Sequence, residues 1–194
     1  MKKAIYIFIF FISQYFFGQQ SNQLWKGYFS YNEIVDVESS TNAVFASTQN
    51  ALFSQVVASS NLNVYNSITG LKPDVITTIH HSDAFNKTFV GNNNGLILIQ
   101  NADGSVTTKV DVIEEVPVPP NKKKINDFFE FNGRLYIATD YGISVINLAT
   151  SEFISTYFIG TSGEETEVLQ TTVFNNEIYA VTRSFGIRKA NLNN

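Results

Sequence analysis

Two histidines stand side by side, His80 and His81, and they are the only ones in a chain of 194 residues. Imidazole ligates metals and moves protons near neutral pH. A metal site, however, needs several ligands converging on one point, and neighbours along an extended strand point to opposite faces. There is no cysteine, so neither thiolate ligands nor a disulfide framework is on offer. Asp83 follows in what reads as a loop, and the histidine pair reads as a strand end entering a turn. Paired carboxylates are what glycoside hydrolysis requires. Asp36, Asp127 and Asp140 fall in different copies of the repeat described below and could converge on an axis, but their spacing is no better than chance among 17 acidic residues. The chain carries no Gly-x-Ser-x-Gly elbow and no glycine-rich phosphate loop. Lys122, Lys123 and Lys124 form the one basic run, after the proline-rich stretch 116–120. They could meet a phosphorylated glycolipid or an acidic partner, yet read first as a solvated loop. Glu164, Glu165 and Glu167 read as its acidic counterpart, another solvated connector. The sequence therefore assigns no catalytic, cofactor-binding or metal-binding residue, and it reads as non-enzymatic.

What must position these side chains is a β-rich fold. Aromatics make up 14% of the residues and charged residues only 15%, the reverse of a disordered chain. Val, Ile, Phe, Tyr and Thr are abundant, which suits half-buried pleated surfaces. Residues 1–18 stand apart from that fold. Lys2 and Lys3 precede an apolar run from Ala4 to Phe17, and Gly18 and a polar stretch follow. This order predicts a secretory signal peptide over 1–18, cleaved after Gly18, with the mature chain exported to the periplasm or cell surface. The run is too short and too interrupted by Ser13 and Gln14 to span a membrane. No cysteine follows it to carry a lipid. Removing Lys2 and Lys3 lowers the 13 basic residues to 11 against 17 acidic ones, a net charge of −6. Such a chain is a poor ligand for nucleic acid.

A repeat organises the remainder, 19–194. Four segments share an aromatic strand, a polar turn, a small residue and a second apolar strand: Ala43–Phe53, Lys87–Ile97, Arg134–Ser144 and Glu177–Ile187. Their aligned aromatics Phe45, Phe89, Tyr136 and Tyr179 lie 44, 47 and 43 residues apart. A period in the forties with four short strands per unit is the spacing of propeller blades. The turn position is Ala51, Gly95, Gly142 and Gly186, glycine in three copies because a tight hairpin needs positive φ there. Ala51 predicts a different turn or a modest strain, and the fourth turn is one residue longer. The third copy is the cleanest: strands over 125–131, 135–139, 143–148 and 153–159, with the hairpin signal Asn132-Gly133. The second copy places its fourth strand over 106–113. The fourth copy supplies three strands, to Asn191. The fold class expected is all-β, a β-propeller with three complete four-stranded blades and most of a fourth, at about 33–70, 75–115, 125–160 and 168–194. It reads better as part of a larger ring of about seven blades than as a complete four-bladed ring closed by a strand over 25–31. A β-sandwich would not give this period.

Particular stretches also resemble a known family. Trp25 to Ile34, Val44 to Phe53, Asn86 to Gly91, Asn94 to Ile97, Thr156 to Gly160 and Gly186 to Ala190 look like PorZ-type proteins of Bacteroidetes. The units are also similar to two-component-regulator propeller repeats, with an apolar strand, a small-Thr pair, a turn and Gly-Leu. The resemblance runs from about Leu24 to Asn194. It implies an accessory protein of the type IX secretion system, built of two propellers and a small C-terminal domain. The implied role is delivery of anionic lipopolysaccharide to the surface sortase, so the implied partners are the sortase complex and, through domains outside this sequence, the glycolipid. It transfers no binding residue to any position here. The alternatives are a periplasmic ligand-sensing propeller of a two-component regulator and a carbohydrate-active propeller enzyme.

Overall fold

A computed structural model describes residues 31–59, 61–72, 74–116 and 118–192. The expected signal peptide and the expected strand over 25–31, Tyr31 apart, lie outside these residues. The described chain folds into four antiparallel sheets, each of strands in sequence order. The first holds β1 (Ile34–Ser39), β2 (Ala43–Thr48), β3 (Leu52–Val56) and β4 (Leu62–Tyr65). The second holds β5 (Ile76–Ser82), β6 (Lys87–Asn92), β7 (Ile97–Gln100) and β8 (Val106–Lys109). The third holds β9 (Ile125–Phe131), β10 (Arg134–Thr139), β11 (Ile143–Asn147) and β12 (Phe153–Tyr157). The fourth holds β13 (Val168–Phe174), β14 (Glu177–Thr182) and β15 (Gly186–Asn191). These are the blades of a β-propeller, and the innermost strands lie against one another in the order β1, β5, β9, β13.

The blades form because each tight connection carries the residue its backbone demands. Asn132 and Gly133 both sit at positive φ, 49° and 71°, as a two-residue type I′ hairpin requires. Asn175 and Asn176 do the same in the next blade, at 49° and 62°. The small-Thr pair has a local job as well. Thr139 Oγ1 donates to Gly142 O and accepts from the N–H groups of Tyr141 and Gly142. Thr182 Oγ1 repeats this with Gly186 O and Phe185 N–H.

Three separate cores hold the blades together, one per interface. Phe45 packs with Leu52, Ile79 and Val90 between blades one and two. Phe89 packs with Ile125, Phe128 and Ile137 between two and three. Tyr136 packs with Ile143, Val168 and Ala180 between three and four. The repeated aromatic of each blade thus reaches toward the blade that follows. Tyr179 is the exception. Among the described residues nothing covers that face of blade four, and Tyr179 stays half-buried with its hydroxyl donating to Glu177.

Three expectations need correction. Residues 111–113 do not extend the fourth strand of blade two, which ends at Lys109; Asp111–Glu114 forms a short helix, α1. Val112 there is buried in the core between blades two and three, so tertiary packing overrides the β-branched run. The second turn is one residue longer as well as the fourth. Pairing of Gly91 with Ile97, and of Asn92 N–H with Leu96 O, leaves residues 93–95 as the loop, whereas blade three leaves only 140–141. Gly95 is therefore not the equivalent of Gly142. It is an inserted residue at φ 91°, tight against the backbone of Lys123. Ala51 takes the two-residue turn with its C=O accepting from Thr48 N–H, and it is not among the positive-φ positions. The third correction concerns Lys123, described next.

Candidate functional site

The innermost strands carry the groups that could do chemistry, and a backbone irregularity aims them. Each first strand bulges at its second residue, at 35, 77, 126 and 169. A bulge turns the strand and re-aims its side chains. Here it turns them onto the next blade. Thr77 Oγ1 donates to Ile125 O at 2.6 Å, and its equivalent Asn126 donates through Nδ2 to Val168 O at 2.9 Å. One residue further on, Asp36 accepts from Ile79 N–H and Thr78 Oγ1, both at 2.9 Å. Its other oxygen accepts from Val37 N–H. Asp127, at the equivalent place in blade three, accepts from the N–H groups of Thr171 and Phe128. Asp140 accepts from Asn126 Nδ2 at 2.8 Å.

The three carboxylates weighed for glycoside hydrolysis are therefore stitches between and within blades. Burial is the largest influence on Asp127 and pushes its carboxyl up to about 6; the two N–H donors oppose that, and the charge of Asp36 adds to it.

The histidines lie near the end of β5, which stops at Ser82 ahead of the turn at 83–86, and they face different partners. His81 stacks on Phe45, ring centroids 4.3 Å apart, with Nδ1 against Thr88 Oγ1. Burial lowers its pKa, with Asp83 opposing. His80 lies between two carboxylates, Nδ1 at 3.3 Å from Glu38 of blade one and Nε2 at 3.1 Å from Glu130 of blade three. The carboxylates bracket the ring from its two nitrogens, which is an ion-pair geometry and not a ligand set. Among the described residues no group of three His, Cys, Asp or Glu side chains could hold a metal ion.

The basic run and the acidic loop, read as separate solvated connectors, meet. Lys122 Nζ pairs with Glu165 at 2.7 Å, and Glu167 pairs with Arg183 at 2.7 Å. Lys123 is 3% exposed. Its ammonium donates to Glu115 O and lies over the Tyr141 ring, 5.7 Å from its centroid. Burial lowers its pKa against the pull of Glu115 and Glu165. Lys123 fastens the long connection between blades two and three onto blade three. An interaction across sequence-distant groups of this kind leaves no local signal in a Lys-Lys-Lys run.

An open groove of about 720 Å³ lies between blades three and four. Tyr157, Phe158, Ile178 and Leu192 supply apolar lining, and Arg134 and Arg188 supply charge. Arg188 already donates to Ile159 O and Thr161 Oγ1, so one of these cations is committed to holding the connector. The arrangement suits binding an extended or amphipathic group and offers no nucleophile–base pair.

Comparison with known proteins places the repeat. A family model described as TSS9, PorZ, N-terminal beta-propeller domain matches residues 44–194. Among solved structures, the chain is similar to PorZ of Porphyromonas gingivalis, a bacterial surface component of the type IX secretion system. TM-score is 0.72 and identity 17%, over 88% of this chain and 22% of that one. It is also similar to the extracellular domain of a hybrid two-component system of B. thetaiotaomicron, at TM-score 0.64 and 18% identity, over 84% of this chain and 21% of that one. A second such domain from the same organism gives TM-score 0.64 and 16% identity, over 81% and 20%. The chain thus spans about a fifth of the length of these solved chains. No curated protein matches it.

Proposed function

Because the chain belongs to the family of the PorZ N-terminal β-propeller domain of the type IX secretion system, we propose that it serves that machinery as an exported, non-enzymatic scaffold or binding module. The observation that carries the reading is the family match across four consecutive blades, 44–194. The site supports it from a second side. Asp36, Asp127, Asp140 and both histidines are engaged in blade-to-blade or within-blade contacts, which leaves the inner strands built for cohesion. Function in a propeller of this kind then lies in surfaces rather than in a reaction centre.

In this reading residues 1–18 are a signal peptide and the mature chain starts at Gln19, in the periplasm or at the cell surface. N-terminal sequencing of the exported protein is expected to return Gln-Gln-Ser-Asn; retention of Met1 on an exported chain would remove the signal peptide. The parent protein delivers anionic lipopolysaccharide to the surface sortase. Deleting its gene is then expected to leave sortase-dependent cargo unprocessed and unattached, and normal surface attachment in the deletion strain would defeat the proposal.

A second reading draws on the likeness to extracellular domains of two-component systems. There the propeller senses a periplasmic ligand on behalf of a kinase. The deletion strain discriminates: a lost transcriptional response with intact cargo attachment favours sensing over secretion.

A further inference from the structure

The His80 side chain lies between blades one and three. Glu38 Oε1 lies 3.3 Å from its Nδ1 and Glu130 Oε2 lies 3.1 Å from its Nε2. A neutral imidazole has a single N–H, so it can donate to one of these oxygens only. The other nitrogen would then turn a lone pair toward a carboxylate oxygen at hydrogen-bond distance, two electron-rich atoms in contact. A second ring proton removes that conflict and converts both contacts into charge-assisted hydrogen bonds. The bracket is therefore complementary to imidazolium.

Other charges nearby do not undo it. β9 also brings Asp127, whose charge couples to His80 and favours a cation, and β1 also carries Asp36, which accepts from Thr78, Ile79 and Val37. β2 carries no ionisable side chain. On β6, Lys87 has its ammonium committed to the carbonyls of Leu148 and Ala149 and to Ser151 Oγ. His81 follows on the same strand, facing Phe45 and Thr88, with Asp83 at 3.7 Å beyond it.

We propose that His80 is held as an imidazolium at neutral pH and acts as a proton-dependent clasp that ties the innermost strands of blades one, two and three together. With the proton present, Glu38 and Glu130 are drawn to one ring from opposite sides. With it gone, one of the two contacts becomes repulsive and blades one and three lose their common tether. Burial opposes the charged ring, yet the hydrogen bonds to Glu38 and Glu130 outweigh it and raise the pKa. The sign follows from linkage. A folded-state pKa above the unfolded value of about 6.5 adds stability that is fully present below that value and is lost as pH rises through the folded pKa. The clasp is thus shut in mildly acidic and neutral surroundings and opens toward alkaline pH.

Nitrogen-15 NMR of the imidazole side chains in the full chain tests this directly, with His81→Gln resolving the assignment. Both ring nitrogens of His80 should carry protons at about pH 7, and its titration should lie above that of a free histidine. Glu38→Gln and Glu130→Gln should each move the titration downward, since each removes one charged acceptor while keeping a carbonyl in place. Urea unfolding followed from about pH 6 to pH 9 should lose its stability decline in His80→Gln. A single protonated nitrogen at pH 7 would overturn the clasp, whether the ring is neutral beside ionised carboxylates or a carboxylate has taken the proton. So would a titration unmoved by both glutamate variants. Should His80→Gln fail to fold, the two glutamate variants still decide.

Discussion

At the scale of single residues, Asp127 is a side chain whose chemistry is altered by its place in the fold. Burial lifts its pKa from the usual carboxylate range to about 6, while the backbone N–H groups of Thr171 and Phe128 work the other way. An acid whose pKa rises on folding binds its proton more tightly in the native state, so stability falls as pH climbs from about 4 to about 6 and stays lowered above. That window lies below the one in which His80 acts. Asp127→Asn keeps a carbonyl oxygen for the Thr171 N–H and removes the buried charge. Urea unfolding at about pH 4.5, 6 and 7 should show the decline abolished in the variant, which should be at least as stable as the parent at pH 7. A loss of more than about 2 kcal/mol at pH 7 would mean that the charge itself is needed for the blade contact. None of this was legible in the sequence. Asp36 and Asp127 were visible only as acidic residues on separate copies. Their bonds run to residues 42–44 positions away, a distance over which no local pattern operates.

At the scale of strands and turns, the repeat was readable because the physics is local. The Asn132-Gly133 hairpin and the Thr that caps its own turn in blades three and four are local signals, and the aromatic opposite the inner strand recurs with the chain's own period. Turn length was less readable. Gly95 and Gly142 look alike in sequence, and only the pairing of Gly91 with Ile97 separates a three-residue loop from a two-residue one. Two comparisons test why particular residues stand where they do. Gly91 has no room for a side chain: a Cβ there would lie 2.7 Å from Ile125 Cγ2 and 3.0 Å from Phe128 of the next blade. Gly91→Ala should therefore cost about 2 kcal/mol through overpacking. Gly186, at φ 66° with open space around it, should cost only about 1 kcal/mol as alanine, from backbone strain alone. The aromatics make the second pair. Tyr136 is 2% exposed in the core between blades three and four, and its loss to alanine should cost about 3 kcal/mol. Tyr179 lies on the uncovered face, so Tyr179→Ala should cost about 1 kcal/mol. Thermal unfolding of the four variants would show equal losses within each pair if covering by the next blade were irrelevant.

At the scale of the whole molecule, the described blades make a stack in which the extensive strand contacts between blades run from each to its neighbour. Among the described residues, blades two and three are covered on both faces, whereas one face each of blades one and four is left uncovered. Ile34 and Val37 are 53% and 59% exposed on the first, and Phe174 and Ile187 are 64% and 72% exposed on the last. A linear array of this kind behaves as a sum of unit stabilities and nearest-neighbour interfaces, so opening should begin at the described blade with the fewest described contacts. Blade four combines a bare face with only three described strands and the smallest of the three cores. Hydrogen exchange should accordingly be slowest for the amides of β6 and β10 and fastest, among the strands, for those of β15. The gap should shrink when pH rises far enough to deprotonate His80, because loosening the tether between blades one and three weakens the centre and leaves blade four untouched. Equal protection of β10 and β15 would mean that the blades open as one cooperative body, and the nearest-neighbour account would fail with it.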